Sequence, residues 1–260
     1  MLALQIAASG MLAQERRTET VANNLANMNT TGFQRRRVEF NDLIYKNLQR
    51  PATPASRAGE SVPGGVHSGL GVNVGSIYRV TEQGSLKTTG NPLDLAIEGA
   101  GYFQIQLPNG TPAFSRDGSF QLSPDGSIVT HDGFPIQPNI TVPANAQHIT
   151  VNANGTVLAT LPGQVTPANI GVIQTVLFPN EGGLKAIGNN LLTQTTQSGA
   201  PVVATAGDGG AGAILEGVIE TSNVNPIEEI TNLIRAQRAY DMNSKVMKTA
   251  DQMMAPGSGR

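Results

Sequence analysis

The two ends of this 260-residue sequence carry the same periodic pattern of apolar residues, and the middle does not. Near the start, residues three and four positions apart form a narrow and mostly apolar seam: Leu4, Ala7, Met11, Gln14, Thr18, Val21, Leu25 and Met28. This spacing follows one face of an α-helix, and its heptad-like form is typical of helices that pair. The seam therefore predicts a first helix over Met1–Met28.

The C-terminal segment contains a helix start signal followed by the same spacing. Asn225 stands at the N-cap position, Pro226 at the first helical position and Glu228 three residues after the cap. The seam that follows consists of Ile230, Leu233, Tyr240, Met247 and Met254, with Ala236 and Ala250 between them. We therefore predict a second helix. Both seams are narrow, so we expect the helices to order when several copies bury them together, although packing on each other or on their own β body stays open.

Short runs of β-branched and aromatic residues fill the middle of the chain, separated by turn sequences. These are PNG at 108–110, RDG at 116–118, PDG at 124–126, HDG at 131–133 and ANG at 153–155. Asn-Gly and Asp-Gly supply the positive φ angles of tight hairpins. The pattern predicts successive antiparallel strands.

These patterns together predict the α+β class, with long N- and C-terminal helices and a central antiparallel β-rich domain. The predicted division is 1–35 with 222–260 as a discontinuous helical domain, 36–71 as a connecting arm, and 72–221 as a β-rich outer domain. The arm contains a stretch rich in Pro, Ala, Ser and Gly, Arg50 to Gly71, which has almost nothing to bury.

The sequence offers little that would support catalysis or cofactor binding. It has no Cys, which removes thiolate and Cys-metal chemistry, and its three histidines share no metal-like spacing. Gly99-Ala100-Gly101 lacks the third glycine of a dinucleotide loop, because Gln104 occupies that place. We predict no catalytic, cofactor or metal site. A net charge of −2 and the lack of a long apolar run also argue against nucleic-acid binding and a membrane span.

The basic cluster Arg35, Arg36 and Arg37 follows the first helix. It fits a solvated surface about as well as it fits ion pairing with acidic residues of a neighbouring subunit, and the sequence leaves this choice open.

Several motifs resemble those of bacterial flagellar axial proteins, the rod and hook family. They are NNLAN followed by TGF near the start, SNVN followed by QRAYDMNSK near the end, and TGNPLDLAIEGAGYFQI and FSRDGSF between them. The resemblance covers nearly the whole chain. The length of the chain, the DLIY segment and the Pro-rich stretch make the chain most similar to the distal rod members of that family.

The resemblance implies a structural subunit that assembles with copies of itself into a hollow helical drive shaft. The resemblance implies that the two terminal helices of each subunit pair as a coiled coil that lines the inside of the tube, with the β domain outside it. Such a tube transmits torque from motor to hook and conducts exported subunits. It crosses the periplasm to the outer membrane, with proximal rod proteins below, the hook protein above and the P-ring and L-ring around it. Subunits of this family reach the tube through the flagellar type III export apparatus without a cleaved signal peptide.

The resemblance also suggests roles for particular residues. The stretch with Pro51, Pro54, Pro63, Gly64 and Gly65 corresponds to the insertion associated with a straight rod. On helices that pack against copies of themselves, we expect asparagines to set the register between subunits: Asn23, Asn24 and Asn27, mirrored by Asn223 and Asn225. Asn29 to Gly32 would form the exit from the first helix.

Two alternatives remain at the level of sequence. The chain could be another axial component, such as a proximal rod or hook-like protein. From a different class, it could be a carbohydrate-binding or hydrolytic β protein that acts on the cell wall. A sequence with 4% aromatic residues gives no indication of a sugar-binding groove.

Overall fold

The structure, a computed structural model, describes residues 2–49, 66–164 and 166–254. For 47–49 and 66–67 it describes the backbone alone. It divides into two compact units, which we call the helical unit and the β unit. The helical unit contains Met1–Ala26, Arg36–Tyr78 and Asn225–Arg260. The β unit contains Asn27–Arg35 and Arg79–Val224.

The helical unit combines two long helices with a ribbon of paired strands. Helix α1 covers Leu2–Ala26, and α2 covers Pro226–Met254. The ribbon pairs β1 (Arg36–Asp42) with β4 (Val72–Arg79) and β2 (Tyr45–Gln49) with β3 (Val66–Gly69). A hydrogen bond of 2.9 Å from the Leu43 amide to the Gly71 carbonyl joins the two ladders.

Local capping explains where the second helix begins. Asn225 Oδ1 accepts hydrogen bonds from the amides of Ile227 (3.1 Å) and Glu228 (3.5 Å), which satisfies donors that the first turn of a helix leaves open. This confirms the predicted N-cap. Helix α1 ends at Ala26, two residues earlier than predicted, so Asn27 already belongs to the exit turn, where its carbonyl accepts from the Thr30 amide at 3.2 Å.

The β unit contains the remaining strands. Their bounds are β5 (Leu86–Thr88), β6 (Leu95–Glu98), β7 (Tyr102–Gln106), β8 (Pro112–Ser115), β9 (Phe120–Leu122), β10 (Ile128–Thr130), β11 (Ile136–Gln137), β12 (His148–Val151), β13 (Thr156–Thr160), β14 (Ala168–Val172), β15 (Gln174–Leu177), β16 (Lys185–Gly188), β17 (Leu191–Thr193), β18 (Val202–Thr205), β19 (Ala213–Glu216) and β20 (Val218–Glu220). A short 3₁₀ turn covers Glu181–Gly183.

The largest sheet has seven strands in the order β16-β17-β8-β7-β15-β18, with β11 also paired to β7. Smaller antiparallel sheets are β12-β13-β14, β9-β10, β6-β19 and β5-β20. The core is mostly aliphatic and contains edge-to-face pairs of buried aromatic rings. The Phe103 and Phe120 rings lie 5.2 Å apart, and the Phe114 and Phe178 rings lie 4.8 Å apart.

Most of the predicted turns join neighbouring antiparallel segments. PNG joins β7 to β8, PDG joins β9 to β10, ANG joins β12 to β13, and HDG brings Pro135 back to Val129. The RDG prediction is wrong, because β8 and β9 do not pair. Instead, Gly118 lies so close to the Leu95 carbonyl that an added Cβ would come within 1.6 Å of that oxygen.

The terminal helices and the central β region confirm the predicted α+β class. The observed units differ from the predicted division, because 27–35 and 222–224 fall in the β unit and 36–78 falls in the helical unit. Residues 27–35 belong to the β unit because their hydrogen bonds run to it, and β4 belongs with the helical unit because it pairs with β1. The predicted arm residues Pro51, Pro54, Pro63, Gly64 and Gly65 lie outside the described residues.

Candidate assembly surfaces and chain junction

The two helices pack on each other within a single chain. The buried apolar side chains of the two helices are mostly small: Ala7, Ala13, Val21, Ala236 and Ala250. The approach is close, because a Cβ added to Gly10 would lie 2.7 Å from Asn243 Nδ2. Near the other end of α1, Asn24 Nδ2 donates to Glu229 Oε1 at 3.2 Å, so the helices run antiparallel.

The predicted seam residues divide between this contact and the surface. Val21 is buried, and Leu4, Met11, Leu25, Leu233 and Met247 are half-buried. By contrast Met28, Ile230, Tyr240 and Met254 are exposed. The α2 seam therefore only partly coincides with the face that α1 covers. Ala236 and Ala250 of the predicted seam are buried, and the third buried residue of α2 is Glu229 rather than the predicted Ile230.

Two exposed apolar patches on α2 lie away from α1, and sequence reasoning missed most of them. The isoleucine patch consists of Ile227, Ile230 and Ile234, which are 78%, 46% and 44% exposed. The methionine patch consists of Met242, Val246 and Met253, which are 60%, 52% and 77% exposed. Their spacings of three, four and seven were visible in the sequence, but α2 carries apolar residues on several faces and a single seam was assigned. Clusters of exposed apolar side chains on a helix are typical of interaction surfaces.

Asn24 is 1% exposed, and its amide bonds within the chain. Its Oδ1 accepts from the Arg36 amide at 2.8 Å, and its Nδ2 donates to the Arg36 carbonyl at 2.9 Å and to Glu229. The side chain thus ties the end of α1 to the start of β1 and to α2. This use differs from the predicted register contact between subunits, because a buried amide with these bonds is not presented to a neighbour. Asn23 is exposed, and its predicted role stays a prediction.

Asn223 holds three segments of the β unit at one point. Its Oδ1 accepts from the Arg35 amide at 2.7 Å, and its Nδ2 donates to the carbonyls of Val80 (3.0 Å) and Glu82 (2.8 Å). Its own amide donates to the Phe33 carbonyl at 3.3 Å. These segments carry the chain into and out of the unit, so one side chain fixes their mutual spacing.

Beside this point lies a buried ion pair between Arg116 and Glu220. Arg116 is 6% exposed and Glu220 is 4% exposed, and Nε lies 3.1 Å from Oε2, although these two atoms are not aligned for a hydrogen bond. Arg116 Nη1 donates to the carbonyls of Gly99 (2.8 Å) and Gly101 (2.7 Å). Burial raises the pKa of Glu220 above its ordinary value of 4.5, and the charge of Arg116 opposes that rise.

The TGF motif docks on the same pair. The Gly32 amide donates to the Glu220 carbonyl at 2.9 Å, and Gly32 has φ +64° with the backbone of Arg116 and Asp117 against it. Motifs that lie far apart in the sequence, TGF, FSRDGSF and the segment before SNVN, therefore meet at one junction. We call this set, Gly32, Arg116, Glu220 and Asn223, the chain junction.

Tyr102 and Arg79 extend the polar network of the β unit. The Tyr102 hydroxyl donates to Glu181 Oε2 at 3.1 Å, and burial, together with the charge of Glu181, raises its pKa to about 12. Arg79 Nη2 donates to the carbonyls of Glu181 and Leu184. The tyrosine therefore stays neutral, and both groups hold the backbone around the 3₁₀ turn.

The predicted inter-subunit arginines have partners within the chain. Arg35 lies 3.5 Å from Glu82 in the β unit, and Arg37 lies 3.3 Å from Glu39 in the ribbon. Exposed pairs of this kind contribute about 0 to 1 kcal/mol. Pairing with a neighbouring subunit stays a prediction for Arg35, Arg36 and Arg37.

Replacing Asn223 by aspartate should destabilise the β unit by about 2 kcal/mol, because a carboxylate would face two carbonyl oxygens that now receive hydrogen bonds. Urea unfolding followed by circular dichroism measures the loss. Asn180→Asp is the matched control, since its amide makes one exposed bond, to the Gln197 carbonyl. Equal losses in the two variants would contradict the role given to Asn223.

Across the described residues, no three His, Asp or Glu side chains are grouped in a way that could hold a metal ion. In the same part of the chain, neither helix combines the length and apolarity that a membrane crossing requires.

Known families match three parts of the sequence. "Flagella basal body rod protein" matches residues 4–34, "Flagellar hook protein FlgE/F/G D1 domain" matches 96–159, and "Flagellar basal body rod FlgEFG protein C-terminal" matches 215–257. They cover much of α1, part of the β unit and most of α2. The class they define is that of flagellar rod and hook proteins.

Curated relatives extend the similarity over the whole chain. "Flagellar basal-body rod protein FlgG" of Caulobacter vibrioides is 52% identical, covering 98% of this chain and 97% of that protein. The protein of the same name from Agrobacterium fabrum is 46% identical, covering 97% of both. "Flagellar hook-basal body complex protein FlhP" of Bacillus subtilis is 30% identical, covering 98% and 97%. The chain belongs to the FlgG family of flagellar basal-body rod proteins.

Proposed function

We propose that this chain is a self-assembling structural subunit of the distal rod of the bacterial flagellum. The observation that carries the proposal is the pair of exposed apolar patches on α2, in a chain that belongs to the rod family. A subunit whose role is to assemble needs exposed apolar surfaces that neighbouring subunits can cover. Copies packed through two different patches form a heterologous contact, which produces an open helical filament when it does not close into a ring.

In the proposed tube the terminal helices of successive copies form a coiled-coil inner layer. The antiparallel contact between α1 and α2 within one chain provides the first layer of that packing, and the patches of α2 provide contacts to neighbours. The tube transmits torque through many such contacts and lets exported subunits pass through its centre. Its proposed place is the periplasm, with proximal rod proteins, hook protein and the P-ring and L-ring as neighbours, reached through type III export.

A second candidate is another axial position in the same structure. The 30% identity to a hook-basal body complex protein favours considering it. Locating the protein in purified basal bodies by electron microscopy distinguishes the two positions.

Assembly through α2 is tested in the full chain with a charge placed on the isoleucine patch. Ile234→Glu changes a side chain that is 44% exposed, so the monomer should keep its melting temperature. Burying a carboxylate between copies should raise the critical concentration for polymerisation on the order of tenfold or more. Light scattering and negative-stain electron microscopy measure it.

Gln121→Glu is the matched control, because Gln121 is an exposed polar residue on β9 of the β unit. It adds one negative charge outside both patches and should polymerise nearly as the unchanged chain does. The proposed function is contradicted if the unchanged chain forms no filaments. The role of the isoleucine patch in assembly is contradicted if both variants have the same critical concentration.

A further inference from the structure

The methionines of this protein are confined to its two ends. The chain has seven, and they are Met1, Met11, Met28, Met242, Met247, Met253 and Met254. The β region between them has none, and the chain has no cysteine. Sulfur that an oxidant can reach is therefore concentrated in the segments that carry the proposed assembly surfaces.

The structure separates these methionines by exposure. On α2, Met242 is 60% exposed and Met253 is 77% exposed, whereas Met247 is half-buried. Met254 is 42% exposed and lies about 120° around the helix from Met242, outside the methionine patch. Val246, at 52%, completes the methionine patch. Positions 242, 246 and 253 are four and seven residues apart, so they share one side of the helix. Two accessible thioethers therefore form most of an apolar surface.

A second copy of the same chain offers surface that can cover this patch. Helix α1 exposes Leu12 at 54% and Ile6 at 38%, so the helical unit carries apolar side chains on both helices beyond those used in their mutual contact. Contact between α2 of one copy and α1 of the next would be heterologous and would fit an open filament. Methionine suits such a contact because its flexible, polarisable side chain adapts to irregular surfaces.

We propose that Met242 and Met253 are oxidation sites that control assembly: their conversion to methionine sulfoxide by a peroxide blocks the methionine patch from packing against a second copy of this chain. This inference rests on the proposed function.

The chemistry is a two-electron oxidation of a thioether by hydrogen peroxide. The sulfur lone pair attacks one peroxide oxygen, an S–O bond forms and the O–O bond breaks. The departing hydroxide takes up the proton left on the transferred oxygen, so one sulfoxide and one water are formed. Sulfur is oxidised and the peroxide is reduced. A sulfoxide is polar and accepts hydrogen bonds, so burying it in an apolar contact without a donor is unfavourable.

The test treats the purified full-length monomer with hydrogen peroxide and maps the modified peptides by mass spectrometry, in which each sulfoxide adds about 16 Da. Met242 and Met253 should be oxidised several times faster than Met11 and Met247. The oxidised protein should keep its far-ultraviolet circular dichroism, and its critical concentration for polymerisation should rise about tenfold or more. Enzymatic reduction of the sulfoxides should restore polymerisation.

Variants assign the effect to the patch. The double variant Met242→Leu with Met253→Leu conserves side-chain volume and should polymerise equally well with and without peroxide. Met254→Leu is the control, because it removes an exposed methionine of α2 outside the patch, and it should stay sensitive. The inference is overturned if protein with sulfoxide at both positions polymerises normally, or if the double variant remains as sensitive as the unchanged chain. If the untreated chain does not polymerise, the proposed function is overturned together with this inference. If the untreated chain polymerises and oxidation has no effect, only this inference is overturned.

Discussion

Replacing Arg116 by methionine is expected to lower the free energy of unfolding of the β unit by about 3 to 5 kcal/mol. The change leaves the carboxylate of Glu220 buried without its counter-charge, and it removes the donor that satisfies the carbonyls of Gly99 and Gly101. Methionine fills much of the same space, so the loss reports on charge and hydrogen bonding. Equilibrium urea unfolding followed by circular dichroism measures it.

The same variant should be more sensitive to pH than the unchanged chain. The pKa of Glu220 is already raised by burial, and removing Arg116 removes the charge that lowers it. A carboxyl whose pKa is higher in the folded state contributes stability below its unfolded pKa and loses that contribution as pH rises through its folded pKa. The destabilisation by Arg116→Met should therefore be smallest at or below pH 4.5 and should grow above it.

Two further variants separate charge from geometry. Arg116→Lys keeps the charge but loses the forked hydrogen bonds, so it should be destabilised without the added pH dependence. In Arg116→Met combined with Glu220→Gln the carboxylate is gone, and the pH-dependent part of the loss should disappear. A pH-independent loss in Arg116→Met itself would contradict the importance given to the ion pair.

Replacing Gly32 by alanine is expected to destabilise the β unit by about 2 to 5 kcal/mol, combining the strain of a left-handed backbone with overpacking. The φ angle is +64°, and the new Cβ would lie 2.7 Å from the Asp117 amide nitrogen and 2.8 Å from the Arg116 carbonyl carbon. Both are backbone atoms and cannot rotate away. The hydrogen bond from the Gly32 amide to the Glu220 carbonyl would be displaced together with the junction. Thermal and urea unfolding measure the loss.

Gly110→Ala provides the matched control. Gly110 has φ +79°, and an added Cβ there would meet nothing within 4 Å. Gly110→Ala should lower the free energy of unfolding by about 1 to 2 kcal/mol, from backbone strain alone. The difference between the two variants gives the contribution of close contact at the junction. If both variants lose the same stability, Gly32 serves only as a turn residue.

The α+β class was predictable from the sequence because the signals that define it are local. The N-cap at Asn225 and the Asn-Gly turn after Gln106 depend on residues within a few positions, and the structure contains both. The RDG turn carried the same local signal, and its prediction failed. There, contact between Gly118 and the distant backbone of Leu95 replaced the hairpin.

The candidate site was predictable only in part. The helix periodicity identified α2 as an apolar helix, but it could not show that α1 covers Ala236 and Ala250 while Met242 and Met253 stay exposed. Likewise, the asparagines were recognisable as unusual, yet the use of Asn24 depends on Arg36 and Glu229 arriving beside it. The two helices, most of the hairpins and the family resemblance were predictable, because they follow from neighbouring residues and motifs. The pairing of polar groups and the exposure of apolar faces were not, because those contacts join residues up to about two hundred positions apart in the chain.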